Sequence, residues 1–184
     1  KEPQLEVFSE MLIWQFVQQK EYELALRQLI AQDKRTNGNG ITLYNTANTF
    51  IANKAYTTAL KAYEYILTKG TETEIYIPAK IELINAKYEL AITGKYDKPN
   101  IKALADQYQE ILTTYGKIPQ TLFALKKLAY LQAYYLNDLK EAEATLEAGI
   151  KISGLPKSEV AQLKIELGDI YLLKSEWWES TLLY

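Results

Sequence analysis

The stretch Phe16-Val17-Gln18-Gln19-Lys20-Glu21-Tyr22-Glu23-Leu24-Ala25 returns 34 residues later as Phe50-Ile51-Ala52-Asn53-Lys54-Ala55-Tyr56-Thr57-Thr58-Ala59, with Phe16, Tyr22 and Ala25 recurring as Phe50, Tyr56 and Ala59. That step is the period of a repeat built from two helices and a turn. A unit of this size cannot bury its apolar face alone and must stack on copies of itself. The step therefore decides the class of architecture.

Bulk composition agrees. The chain has 184 residues, 48% of them apolar, enough to fill a core, and only five Pro and eight Gly interrupt long stretches of Ala, Leu, Lys, Glu, Gln and Tyr. An all-α chain is expected. Its 21 basic and 23 acidic residues give a formal charge of -2 with no block of one sign, so nothing steers it toward phosphates and nucleic acid is not an expected partner. Arg27 and Arg35 are the only arginines, which removes most of the bidentate cations that phosphate recognition favours. Without Cys or His, disulfides, thiol catalysis and the commonest metal ligand and general base are closed, and neither enzyme activity nor a cofactor or metal is expected. The lack of cysteine leans toward the cell envelope or periplasm over the cytoplasm. No apolar run approaches the roughly 20 residues of a membrane span, so membrane insertion is not expected. Lys1 stands where an initiator Met would, so a cut or processed N-terminus is expected.

Along the chain, apolar residues recur at helical spacing in pairs of segments. Leu5, Phe8, Leu12 and Phe16, broadened by Val7, Met11, Ile13 and Trp14, predict a helix with two buried sides, and Tyr22 to Ile30 predicts its antiparallel partner. Thr36-Asn37-Gly38-Asn39-Gly40 ends that pair, because Asn and Gly accept the left-handed backbone that terminates helices. The expected units are 5–38, 40–70, 77–116, 119–153 and an incomplete 157–184, forming a single solenoid over 1–184. In the third, the polar segment 93–100 reads as an inserted loop between its helices.

The C-terminal stretch Leu167-Gly168-x2-Tyr171, followed by Ser180-x3-Tyr184, resembles the tetratricopeptide (TPR) family signature, in which small and aromatic residues alternate between two helices. Ala47, Phe50, Ala59 and Tyr63 fill the same positions in the second unit, and Ile13, Phe16, Ala25 and Leu29 do so in the first. The family's tryptophan position holds Ser9, Leu43 and Lys164, and its closing proline position holds Asn37 and Thr71. In the fourth unit, Ala142 and Leu146 match only if the first helix is shifted by one residue. The resemblance implies a right-handed superhelical solenoid of about nine to ten helices, an internal fragment of a larger bacterial protein. It also implies an interaction scaffold that uses the concave surface lined by first helices.

Candidate sites follow from that surface. Tyr22, Tyr56, Tyr63, Tyr88, Tyr108 and Tyr171 are assigned to core positions, whereas Trp14, Tyr44, Asn48, Lys127 and Tyr134 fall on the inner face of first helices as candidate partner-binding residues. One groove type in this family grips a peptide's terminal carboxylates with a lysine and an asparagine one helical turn apart. Tyr44 and Asn48, and Glu10 and Trp14, stand at those places, so only the asparagine is kept and a mostly neutral, partly aromatic groove is implied, with Lys127 its clearest cation. Asp33, Asn37 and Gly38 imitate the opening of a calcium loop, but Arg35 and Tyr44 stand where ligands are required. Glu141, Glu143 and Glu147 are read as solvated charges. Of the doublet Trp177-Trp178, one ring is expected to fill the core and the other to await a following repeat. Trp178 and Leu183 are thus the candidates for end-to-end packing, and that exposed end also offers a route to a homo-oligomer. The expected function is a non-enzymatic scaffold for a protein or peptide partner. The alternative is a structural spacer or regulatory solenoid within a larger enzyme or cell-envelope assembly.

Overall fold

The computed structural model describes residues 2–93 and 97–183. Among these, ten α-helices follow one another: α1 (Glu2–Gln18), α2 (Tyr22–Thr36), α3 (Ile41–Ala52), α4 (Tyr56–Leu67), α5 (Tyr76–Thr93), α6 (Lys98–Tyr115), α7 (Leu122–Tyr134), α8 (Leu139–Ile150), α9 (Lys157–Leu173) and α10 (Trp177–Thr181). A short 3-10 turn, Pro119–Thr121, leads into α7. The described residues form two compact all-helical units, Lys1–Gly94 and Lys95–Tyr184, and within each unit helices that follow one another in the chain pack together.

In the first unit, the 34-residue step is written into the backbone. Lys20 and Lys54 both adopt the left-handed conformation, at φ 61 in each case. One residue on, Glu21 N–H donates to the carbonyl of Phe16 and Ala55 N–H to that of Phe50, both at 2.8 Å. Each bond spans six residues and closes the end of a helix in the Schellman manner, so the next helix starts at Tyr22 or Tyr56 in the same direction. Packing follows. Ala25, Ala47 and Ala59 are fully buried, and the missing bulk lets Phe50 and Tyr63, also fully buried, approach the facing helix. The rings of Tyr22 and Phe50 meet at 5.5 Å. Leu26, Leu29, Ile66 and, from α5, Ala79, Leu83 and Ala86 complete one core. Full burial of an aromatic or branched side chain contributes about 1.5–3 kcal/mol each, so these few positions carry most of the unit's stability.

The second unit buries Ile101, Leu104 and Tyr108 of α6, Leu125, Leu128 and Leu131 of α7, Leu146 of α8 and Leu163, Leu167 and Ile170 of α9. Its last turn repeats the device of the first unit: Ser175 is left-handed at φ 64, and Glu176 N–H closes on the carbonyl of Tyr171 at 2.8 Å. The turn between α7 and α8 is one residue longer, with Asn137 left-handed and Asp138 N–H bonded to Gln132 six residues back. Asp138 then caps α8 through its carboxylate, which accepts from Glu141 N–H.

Several expectations are corrected. Helix α1 has one covered side, through Ser9 and Ile13, whereas Phe8, Met11 and Trp14 are 70%, 65% and 66% exposed, because no helix among the described residues lies against their face. The segment 93–100 is not a polar loop at its ends. Thr93 belongs to α5, while Lys98, Pro99 and Asn100 form the first turn of α6, where proline's missing N–H costs nothing. Gly94 to Tyr96 lie outside the described residues, as does Tyr184. Neither Trp177 nor Trp178 fills the core, both being more than half exposed. Ser180 takes the buried place instead, donating its hydroxyl to the carbonyl of Gly168 at 3.0 Å. Among the assigned core tyrosines, Tyr63, Tyr88 and Tyr108 are buried, but Tyr22, Tyr56 and Tyr171 are half-buried. Among the described residues, no helix is long and apolar enough to cross a membrane.

Candidate functional site

Helix α3 presents Tyr44 and Asn48 one turn apart, and both are organised by Tyr63 reaching across from α4. Tyr63 is fully buried, and its hydroxyl finds a partner within the fold by donating to Asn48 Oδ1 at 2.6 Å. Burial, then the charge of Glu82 on α5, holds that hydroxyl protonated well above the usual tyrosine range. The Tyr44 ring meets the Tyr63 ring edge-on at 6.1 Å. Asn48 itself is exposed. With Oδ1 taken by Tyr63, the amide N–H groups are the donors that the side chain has left to offer. Trp14 sits on α1 beside Phe8, Met11, Leu12 and Gln15, which together line a shallow apolar recess.

In the second unit Tyr134 belongs to an aromatic cluster on α7. Tyr130 lies 4.7 Å from Tyr134 and 5.9 Å from Tyr135, and both Tyr130 and Tyr134 are partly open to solvent. The hydroxyl of Tyr134 is held above its ordinary range by desolvation, and then by Asp169, Tyr130 and Glu166. Lys127 is half-buried on the same helix. Its neighbour Lys126, which reasoning from sequence misses, meets Glu159 at 3.4 Å and Glu166 at 3.6 Å on α9. Around these aromatic rings, α7 and α9 carry both signs of charge. The spacing of Glu159, Gln162, Glu166 and Asp169 on one side of α9 is a signal open to the sequence.

Two other carboxylate groups have a structural use. Asp33, 8% exposed, accepts Gly40 N–H at 3.1 Å and the Tyr65 hydroxyl at 2.9 Å and pairs with the Lys69 ammonium, so a lysine occupies the place where a calcium-loop reading would put a cation. Glu143 is not a solvated charge. It accepts from the Lys174 ammonium at 2.8 Å, and Glu176 does the same, which raises the Lys174 pKa. Among the described residues, no three or more acidic side chains converge as a metal site. The exposed surface can offer amide and hydroxyl hydrogen bonds, aromatic faces and paired charges.

Helix pairs joined by left-handed turns, with small residues set against aromatic ones in the core of the first unit, are the fold of a helical-repeat protein. Among solved structures, the chain is similar to the crystal structure of a thermophilic TPR protein from Thermus thermophilus, with a TM-score of 0.58 and 16% identity over 97% of this chain and 88% of that one. The chain has the TPR fold. No protein-family model and no curated protein matches it.

Proposed function

We propose that the chain is a non-enzymatic interaction scaffold that holds a polypeptide against the exposed surfaces of its first helices. The observation that carries this reading is the fixed orientation of Asn48. With its carbonyl oxygen held by Tyr63 at 2.6 Å, the amide presents N–H donors to a peptide carbonyl at little further cost in side-chain entropy. The Tyr44 ring beside it supplies an amphipathic contact area of the kind enriched at interfaces. Trp14 in the first unit, and Tyr134 with Lys127 in the second, add aromatic and cationic contacts of the same sort. A photo-crosslinking residue introduced at Tyr44 or Tyr134, in extract of the source cells, is expected to trap a polypeptide that one placed at Lys61 does not. Asn48→Ala and Tyr44→Ala should each weaken capture several-fold or more, with helix content unchanged by circular dichroism. Capture that survives both substitutions would favour the spacer reading, in which the solenoid supplies shape to a larger enzyme or envelope assembly.

A further inference from the structure

Two Asn-Gly dipeptides, Asn37-Gly38 and Asn39-Gly40, stand back to back between α2 and α3. Such a pair is the least durable amide arrangement in a polypeptide, because glycine has no Cβ to keep its nitrogen from the preceding side-chain carbonyl carbon. Both asparagines are exposed. Both attacking nitrogens are occupied by one residue: Gly38 N–H donates to the main-chain carbonyl of Asp33 at 2.8 Å, and Gly40 N–H to its carboxylate Oδ1 at 3.1 Å.

The two sites are held unequally. Asn39 Oδ1 accepts Ile41 N–H at 3.1 Å, so its own side chain is tied to the start of α3. On its other side the Lys69 ammonium donates to the Gly38 carbonyl at 2.8 Å and pairs with Asp33, whose carboxylate also takes the Tyr65 hydroxyl. Asn37 lies outside this clamp, left-handed at φ 48, and its side chain makes no hydrogen bond among the described residues. Its attacking nitrogen is restrained by a neutral bond at a helix end, where fraying is easiest.

We propose that this connection is a site of spontaneous deamidation in which Asn37 converts first and Asp33 protects Asn39. The Gly38 nitrogen loses its proton to hydroxide and attacks Asn37 Cγ. The bond from Cγ to the side-chain nitrogen breaks, and that nitrogen regains a proton and leaves as ammonia. The cyclic imide takes up one water and opens to aspartate or isoaspartate. Conversion adds a negative charge at the C-terminal end of α2, where the helix dipole is already negative, and isoaspartate lengthens the main chain by one carbon.

The test holds the intact chain at mildly alkaline pH, once in buffer and once in denaturing urea, and follows each asparagine by peptide mapping with isoaspartate detection. In urea the two sites should convert at comparable rates, since each precedes glycine. In buffer Asn37 should lead Asn39 by roughly fivefold, the factor by which a charge-assisted hydrogen bond restrains a group more than a neutral one does. Asp33→Asn, with helix content confirmed by circular dichroism, should raise the Asn39 rate toward its urea value. Equal rates in buffer, a faster Asn39, no conversion of Asn37 in buffer, or a folded Asp33→Asn chain whose Asn39 rate is unchanged each overturn the proposal. The comparison of buffer with urea decides even if that variant does not fold.

Discussion

Tyr65 shows how one side chain makes stability depend on pH. Burial, and then the hydrogen bond to Asp33 with its charge, push the phenol up to about 12. The unfolded phenol titrates near its ordinary value of about 10, so between about 10 and about 12 the unfolded chain has released a proton that the folded chain still holds. The contribution of Tyr65 to stability is therefore complete below about pH 10 and falls as pH rises through that window. Tyr65→Phe should flatten this fall, while costing roughly 1 kcal/mol at neutral pH through the lost bond to Asp33. Urea midpoints across the alkaline range would check both, and an unchanged alkaline slope would contradict the assignment. A second residue acts by having no side chain. A Cβ on Gly149 would stand 2.8 Å from Leu125 Cδ2 and 3.3 Å from Leu163 Cδ1. Overpacking costs about 1–3 kcal/mol and the gain in helix propensity is about 1, so Gly149→Ala should lose about 1 kcal/mol in thermal or urea unfolding. Nothing in the sequence marks this glycine, because the close approach is made by Leu125 and Leu163, distant in the chain and on other helices. Asp33 draws notice for its calcium-like spacing, yet its partner Lys69 follows α4 and becomes visible only when the helices are packed.

At the scale of elements, the left-handed turns explain why the repeat is legible where it is. The step from Phe16 to Phe50 is a step between carbonyls that close identical turns, so residue type and backbone geometry recur together. The match of Leu167, Gly168 and Tyr171 reports the same device at Tyr171. In the fourth pair, the closing bond runs to Gln132 from one residue farther on, and the expected shift of one residue has that physical source. The Trp177-Trp178 doublet misleads because hydrophobicity says that a ring prefers burial but not which position of a short helix faces inward. Here Ser180 faces inward, since its small side chain fits against Gly168. The turns also make a prediction. A non-glycine residue in the left-handed region costs about 1–2 kcal/mol, and glycine gives back about 0.4–1 of that through the entropy of the unfolded chain. Lys20→Gly and Lys54→Gly should each stabilise by up to about 1 kcal/mol, with the same sign and similar size in thermal melts. Opposite signs would mean that the two turns are not equivalent.

At the scale of the whole molecule, contacts in the first unit run chiefly between helices adjacent in the chain, from α1 to α5, with α2 also touching α4. A chain connected this way has no long-range closure to enforce all-or-none behaviour, and its stability approximates a sum of local terms and neighbour interfaces. The candidate site inherits that property. The resemblance to the repeat family implies an inner-face place for Tyr44 and Asn48, but their pairing through Tyr63 depends on the α3 to α4 interface, which no sequence spacing states. Phe50→Ala tests the local character. The side chain is fully buried and its ring meets Tyr22, so truncation should cost about 3–5 kcal/mol, a large part of a typical total of about 5–15. If neighbour interfaces dominate, amide hydrogen exchange will lose protection most in α2 and α3, where the ring was held. It will lose least in α5, whose Ala79, Leu83 and Ala86 still pack toward α4. A uniform loss from α1 to α5 would show instead that the unit opens as one cooperative body, and the exposed face of α3 could then not loosen without unfolding its neighbours.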